Sequence, residues 1–546
     1  MKLIERRIGL LFAVFVLAFV VVLGRAAWLQ AVRGGELSAD AHAQQTETIE
    51  VPSRRGAILD REGRELAVSE EAASVYATPY QLEDPAKAAQ RLAEALDRPV
   101  EEILAAVSDR DSGFAYVARD VDLVAAQRVR RLGIEGVGVL PDSRRIYPEG
   151  ELAAQVVGAV GTDEQGLYGL EAARDASLRG ADGEVEVVRD ALGDEIERDI
   201  LAAAETGEDL RLTIDTELQA GAEQVLADVG ERFSPAGATA ILMDPRNGEL
   251  LALANWPQAD PTDPGSQPEE VFRDLAASYT YEPGSTFKAF TVAGALSEGR
   301  VAPDTVFDLP PTLQVADRTI EEAHERGPVS LTVTDILAQS SNVGAVEVGL
   351  ELGATRFDRW VRRFGFGRPT GSGLPGEEAG IVPAPDDYSG SSMGNLPIGQ
   401  GLSVTPLQMA AAYAAIANGG ILNEPRLIRG EERGPSRRVL SRGVAASLTD
   451  MLEGVLEPGG TASEVAVPGY TLAGKTGTAE KAIDGGYSES AFVGSFVGYA
   501  PAEDPRLLAA IVVDEPQGSY YGSDVAAPAF GQLMGFALPL VDAPAR

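Results

Sequence analysis

One serine in this chain has an amine a helical turn away. In "EPGSTFKAF", Ser285 is followed three positions later by Lys288. A Pro and a Gly precede the serine, and "TFKAFTVAGALSEG" continues at helical period, which predicts a helix starting at Ser285. At that spacing the two side chains share one helix face. The residue type is informative too. The chain holds five lysines, Lys2, Lys87, Lys288, Lys475 and Lys481, among 46 Lys and Arg residues. Arginine is the habitual cation and keeps its proton inside a protein, whereas a desolvated lysine can lose it. A neutral Lys288 could take the proton of Ser285, and N–H groups at the helix start could stabilise an anion. Burial and a nearby cation are expected to lower the lysine pKa. Taken alone, the same spacing is also found on ordinary solvated helices.

Two other polar clusters lie downstream. "QSSNVG" contains Ser340, Ser341 and Asn342. Ser340 and Asn342, two apart, could project from a turn between helices into a cleft; the plain alternative is a helix N-cap or a turn. "LAGKTGTAE" contains Lys475, Thr476, Gly477 and Thr478. Glycines on both sides of Lys475 permit close approach of backbone to a ligand. On a strand, Lys475 and Gly477 would share one face and Thr476 and Thr478 the other. The alternative is a strand edge with a solvated lysine.

These clusters need a framework to bring them together. Strand patterns at 237–257, joined by the turn "DPRNG", and at 491–501 and 506–516 flank a long interval of helical patterns, such as 330–353. The first and last strand pairs are expected to share one sheet with helices on its faces, an α+β layered domain over 211–546. Residues 37–210 read as a mixed accessory region. Two short strands surround the turn "DREG" within 53–69, helices are expected at 84–97 and 99–107, and Gly-punctuated loops and helices follow at 144–161 and 166–184. No nucleophile there has a base beside it, so the region reads as scaffold and docking surface.

Ile8–Gly24 is a run of 17 residues without a charge, at the short end of a bilayer span. It predicts an anchor over 8–28 behind a cytoplasmic tail over 1–7. Lys2, Arg6 and Arg7 precede the run, so the positive-inside rule leaves the N-terminus in the cytoplasm and the rest outside, with Trp28 at the outer interface. A cleaved signal peptide is the competing reading. The run exceeds the ~7–15 residues usual there, and "GRAAWLQAV" is a poor cleavage site.

Composition narrows the chemistry. With 45% hydrophobic and 24% charged residues the chain is globular, and a formal charge of −37 argues against nucleic acid. The absence of cysteine excludes disulfides, Cys nucleophiles and thiolate metal sites. A Ser-His-Asp triad would have to use His42 or His324, the two histidines present. His324, in "EEAHERG", reads as a solvated loop residue.

Taken in order, the three clusters resemble the Ser-x-x-Lys, Ser-x-Asn and Lys-Thr-Gly set of penicillin-binding proteins and serine β-lactamases. Their separations, 55 residues from Ser285 to Ser340 and 135 from Ser340 to Lys475, suit that family. "RRGAILDREGRELA", "RRIYP", "GLYGLE" and "GQGLSVTPLQMAAAYAAIANGG" extend the likeness over essentially the whole chain, which is similar to class B penicillin-binding proteins, the compact pedestal favouring the septal division type. The resemblance implies an α+β fold: a single N-terminal transmembrane helix, a dimerisation or pedestal domain over 37–210, and a transpeptidase domain over 211–546 with an antiparallel sheet covered by helices. It implies a peptidoglycan D,D-transpeptidase in the bacterial cytoplasmic membrane with an extracytoplasmic catalytic domain. Ser285 would be the nucleophile and Lys288 its base. The backbone N–H groups of Ser285 and Thr478 would form an oxyanion hole. Ser340 would relay a proton to the leaving D-Ala, with Lys475 close enough to tune it, and Asn342 would hold the peptide. Thr476, Gly477 and Thr478 would bind substrate. The implied partners are stem peptides, β-lactam antibiotics, a multi-pass SEDS-type glycan polymerase and other divisome proteins, with no metal or organic cofactor. No deacylating Glu is matched, so penicillin hydrolysis should be slow. A D,D-carboxypeptidase, a β-lactamase, an elongation-type transpeptidase and a non-catalytic scaffold or β-lactam sensor are the alternatives.

Overall fold

The N-terminal apolar run lies within one helix, Lys2–Ala31. The helix outruns the charge-free stretch because the flanking residues, Lys2–Arg7 and Arg25–Ala31, include neither Gly nor Pro. It is long and apolar enough to cross a membrane. The computed structural model describes residues 2–32, 35, 46–189, 195–431, 434–483 and 486–545. His42 and the start of the accessory region lie outside the described residues.

The chain forms two units, each built from several segments. The first comprises 1–55, 71–144 and 179–207. It contains an antiparallel sheet with Gly183–Arg189 between Thr46–Val51 and Glu195–Ala202. The expected helices appear as Pro85–Leu96 and Val100–Val107. Asp84 caps the former by accepting from the Lys87 N–H, and Asp97 ends it in the left-handed region at φ 55°. With helix Leu123–Leu132 and strand Ala115–Val121 they enclose a core that includes Val75, Leu92, Ile103, Val117 and Val129.

The second unit comprises 56–70, 145–178 and 208–546. Its main sheet has five strands: β1 (Gly237–Met243), β2 (Leu250–Trp256), β3 (Ala473–Ile483), β4 (Gly486–Ala500) and β5 (Leu507–Asp514). They pair antiparallel in the order β2-β1-β5-β4-β3, so the first and last strand pairs do share one sheet. Six helices concern the site: α1 (Thr216–Phe233), α2 (Lys288–Ser297), α3 (Val333–Ala338), α4 (Asn342–Leu352), α5 (Pro406–Ala417) and α6 (Ala527–Leu540).

Side chains alternate across each strand, and here both faces are apolar. Ala238, Ala240 and Leu242 of β1 join a core with Leu226 of α1 and Phe530 and Leu533 of α6. Ile241 and Met243 join a separate core with Phe287, Phe290 and Tyr413. Every residue of β1 is accordingly buried. On the second face α5 is buried at all its positions, begun by a Thr405–Gln408 capping box with Pro406 in the first turn.

The interval 330–353 is not one helical run. A short strand, Val329–Thr332, precedes α3, and the chain breaks at Gln339–Ser341 before α4 begins. Ser340 sits at φ 59°, a left-handed conformation that no helix interior accommodates.

Candidate active site

Ser285 lies in a 3₁₀ turn, Gly284–Phe287, that runs directly into α2. The expected α-helix thus starts later, at Lys288, with a tighter turn in front of it. In a 3₁₀ turn residues i and i+3 eclipse, which still aligns Ser285 with Lys288. The turn is pinned from several sides. Thr286 Oγ1 donates to the Pro283 carbonyl at 2.7 Å, and the Tyr413 hydroxyl donates to the Thr286 carbonyl at 2.7 Å. The Phe287 ring packs against Phe290 and Phe366 at centroid distances of 5.4 and 5.1 Å. The Ser285 N–H is a first-turn donor that the helix cannot satisfy internally.

Lys288 is 0% exposed. Its Nζ donates to the Ser340 carbonyl at 2.6 Å, to Asn342 Oδ1 at 2.6 Å and to Ser340 Oγ at 3.2 Å. Burial pulls its pKa down to about 7, with Glu322 acting in the opposite direction. The expected lowering by a neighbouring cation falls instead on Lys475. That side chain is also 0% exposed, and its pKa is held well below the usual lysine value by burial and then by Lys288.

The Ser340–Asn342 break is held by a carboxylate that sequence reasoning missed. Glu322 Oε1 accepts from Ser341 Oγ at 2.6 Å and Oε2 from the Asn342 N–H at 2.7 Å. Arg326 donates to the same carboxylate at 2.5 Å. Ser341 Oγ caps α4 by accepting from the Gly344 N–H at 3.0 Å, and Asn342 Nδ2 donates to the Glu321 carbonyl at 2.9 Å. Burial would raise the Glu322 carboxyl, but the bonds from Ser341, Asn342 and Arg326 and the charge of Lys288 keep it below its ordinary value. Glu322 lies in the "EEAHERG" run, which has the composition of a plain surface loop and gives no sequence signal of this role. His324 in that run is exposed as expected, yet it lines the mouth of the cleft, its ring 5.9 Å from that of Tyr521.

Strand β3 alternates as its sequence requires. Lys475 stands opposite Val497 and Gly477 opposite Ser495, while Thr476 and Thr478 stand opposite Phe496 and Gly494. A Cβ on Gly477 would lie 2.4 Å from Ser495 Oγ, 2.9 Å from Thr286 Cγ2 and 3.0 Å from the Pro283 carbonyl oxygen. Only glycine lets the Ser285 turn rest on this strand. Gly284, at φ 54°, makes the matching approach from the other side, where a Cβ would meet the Thr478 carbonyl oxygen at 2.8 Å. Thr476 Oγ1 is 2.7 Å from Thr461 Oγ1, and Thr478 Oγ1 accepts from the Gly522 N–H at 3.0 Å. Thr461 is a second neighbour that no sequence pattern marked.

Ser285, Ser340, Asn342, Thr476 and Thr478 line one cleft of ≈ 680 Å³. Among the described residues no hydrogen bond ties up the Ser285 hydroxyl. The arrangement can deprotonate a serine in a desolvated floor and bind a polar chain along the β3 edge above it.

The sequence matches the penicillin-binding protein transpeptidase domain over residues 238–535 and the penicillin-binding protein dimerisation domain over 50–212. Stage V sporulation protein D of Bacillus subtilis is 35% identical over 97% of this chain and 84% of its own. The peptidoglycan D,D-transpeptidase FtsI of Escherichia coli is 33% identical over 97% of this chain and 91% of its own. Among solved structures, penicillin-binding protein 3 of Mycobacterium tuberculosis complexed with aztreonam superposes with a TM-score of 0.72 at 30% identity, covering 91% of this chain and 98% of that one. With matches to both domains and full-length relatives above 30% identity, the chain belongs to the class B penicillin-binding proteins, a family of peptidoglycan D,D-transpeptidases.

Proposed function

We propose that this protein cross-links peptidoglycan stem peptides through an ester on Ser285. Ser285 Oγ attacks the carbonyl carbon of the penultimate D-Ala and its proton passes to Lys288 Nζ. A neutral amine has two N–H bonds. The Ser340 carbonyl and Asn342 Oδ1, both at 2.6 Å, occupy them, and the lone pair remains to accept, with Ser340 Oγ as the third neighbour at 3.2 Å. The backbone N–H groups of Ser285 and Thr478 stabilise the oxyanion. On collapse the peptide bond breaks, and the terminal D-Ala leaves with the proton that Lys288 took, relayed through Ser340 Oγ 3.2 Å from its Nζ, with Lys475 tuning the relay. An amine of a neighbouring stem then attacks the ester, its proton passes by way of Lys288 to Ser285 Oγ as the ester C–O bond breaks, and Ser285 is freed. Asn342 holds the peptide, and Thr476, Gly477 and Thr478 bind the substrate along the strand edge.

The observation that carries this reading is the burial of Lys288 among neutral acceptors, one turn from Ser285. β-Lactams acylate the same serine, a reading supported by the aztreonam and ampicillin complexes of the M. tuberculosis relative. The apolar helix anchors the chain with its N-terminus in the cytoplasm, and the pedestal over 37–210 and the transpeptidase domain over 211–546 lie outside. The compact pedestal favours work at the division septum beside a SEDS-type polymerase and other divisome proteins.

Labelling with a fluorescent penicillin and peptide mapping should place the adduct on Ser285, and Ser285→Ala should lose it entirely. With a pentapeptide donor and an amine acceptor, a cross-linked dimer is expected. An adduct on another residue would overturn the nucleophile, and a shortened monomer as sole product would favour the carboxypeptidase.

A further inference from the structure

We propose that Glu322 is a positioning residue for acylation: its carboxylate clamps the Ser340–Asn342 turn against Lys288 and supplies the negative charge that balances the lysine when it holds a proton. The inference rests on reading Ser285 as the acylated nucleophile.

Three observations carry it. First, the turn needs holding. Ser340, at φ 59°, occupies a conformation unfavourable for an L side chain, and its carbonyl and hydroxyl both face Lys288 Nζ. Second, Glu322 grips that turn from behind at two consecutive residues, through Ser341 Oγ at 2.6 Å and the Asn342 N–H at 2.7 Å. A bidentate grip on a side chain and the next backbone N–H fixes both the direction of Asn342 and the start of α4. Third, the charges around Lys288 are few. Among the described residues Glu322, behind Asn342, is the carboxylate coupled to it and Lys475 on β3 the cation, while Arg326 donates to Glu322. One negative charge therefore stands behind two buried amines. It stabilises the protonated state that Lys288 enters as Ser285 is acylated, without touching the serine.

The test is the rate of Ser285 acylation by a fluorescent penicillin, followed against pH. Wild type should rise with pH through a midpoint near 7, where Lys288 becomes neutral. Glu322→Gln keeps the shape and one acceptor oxygen but removes the charge. Lysine then loses its proton more readily, and the midpoint should move down by roughly half a pH unit or more. Glu322→Asp should keep the wild-type midpoint. Ser341→Ala removes one bond of the clamp and leaves the charge, so it should slow acylation by about 3- to 10-fold without moving the midpoint. A thermal melt of each variant separates lost fold from lost rate. If Glu322→Gln melts like wild type and its midpoint does not move, Glu322 is structural only and the proposal fails. Wild-type protein that does not label at Ser285 would overturn the nucleophile instead.

Discussion

Arg145 and Lys288 are both cationic side chains taken almost wholly out of water, yet their surroundings follow different rules. The Arg145 side chain is 1% exposed and meets the 0% exposed Glu171, with its Nε donating to Oε1 at 2.7 Å. A second nitrogen donates to Ser69 Oγ at 3.1 Å. Lys288 is buried as deeply, but its nearest acceptors are a carbonyl, an amide oxygen and a hydroxyl, all neutral. Arginine cannot shed its charge, so a buried arginine must bring a carboxylate with it. Lysine can shed its charge, and burial without a contacting carboxylate pushes it to do so. The first site ties the "RRIYP" strand to the "GLYGLE" segment. The second favours the neutral amine. In a chain that otherwise uses arginine, each of the five lysines is a candidate for a removable charge for this reason.

The most severe way to break this contrast is to exchange the residue types. Lys288→Arg keeps a long cationic side chain but removes the group that can accept a proton. Acylation by penicillin should fall by about 10³-fold or more, in the range expected when a general base is lost. The measurement is the second-order labelling rate on protein whose melt shows it folded. A variant within tenfold of wild type would mean that position 288 supplies charge rather than basicity.

The contrast also explains which parts of the site could be read from the sequence. Ser285, Lys288, Ser340, Asn342, Lys475 and the Thr476–Thr478 segment were legible because short-range spacing on a helix, a turn and a strand fixes which side chains point together. The sheet was legible in outline, since β1, β2, β4 and β5 are runs of apolar residues bounded by turns. Other features depend on contacts between distant segments. The 3₁₀ start of α2 comes from Gly284 fitting under Thr478, nearly 200 residues away in sequence. Glu322 acquires its role only when the "EEAHERG" loop meets the α3–α4 break, and nothing in that loop's composition anticipates the meeting. The charge coupled to Lys288 is a carboxylate rather than the expected cation for the same reason, since it comes from that loop.

A second experiment probes the paired site. Arg145→Met breaks the buried 2.7 Å pair with Glu171 by removing one partner, which should cost roughly 3–5 kcal/mol of stability. The fraction that remains folded should label at the wild-type rate. The double variant Arg145→Met with Glu171→Leu removes both charges and should recover much of the loss. Denaturant titration measures the stability and penicillin labelling the activity. Wild-type stability combined with lost labelling would make the pair part of the catalytic apparatus and dissolve the distinction drawn between it and Lys288.

The mildest effect is a slope rather than a loss. In the folded protein Lys288 has its pKa down near 7, against an ordinary value of 10.5 in the unfolded chain. Between those two pH values the unfolded state carries a proton that the folded state lacks, so raising the pH favours folding. Below about 7 both states are protonated and the slope from this residue vanishes. Wild type should therefore gain about 1.4 kcal/mol per pH unit across that window relative to Lys288→Met, which has nothing to titrate there. Lys475 contributes in the same direction in both proteins, since burial, the larger cause of its lowering, persists when Lys288 is replaced. The corresponding difference between wild type and Arg145→Met should be flat over the same window, because arginine holds its proton throughout. A slope at the lysine and none at the arginine would show in solution that one buried cation is permanent and the other conditional; equal slopes would mean that Lys288 stays charged and is not the base.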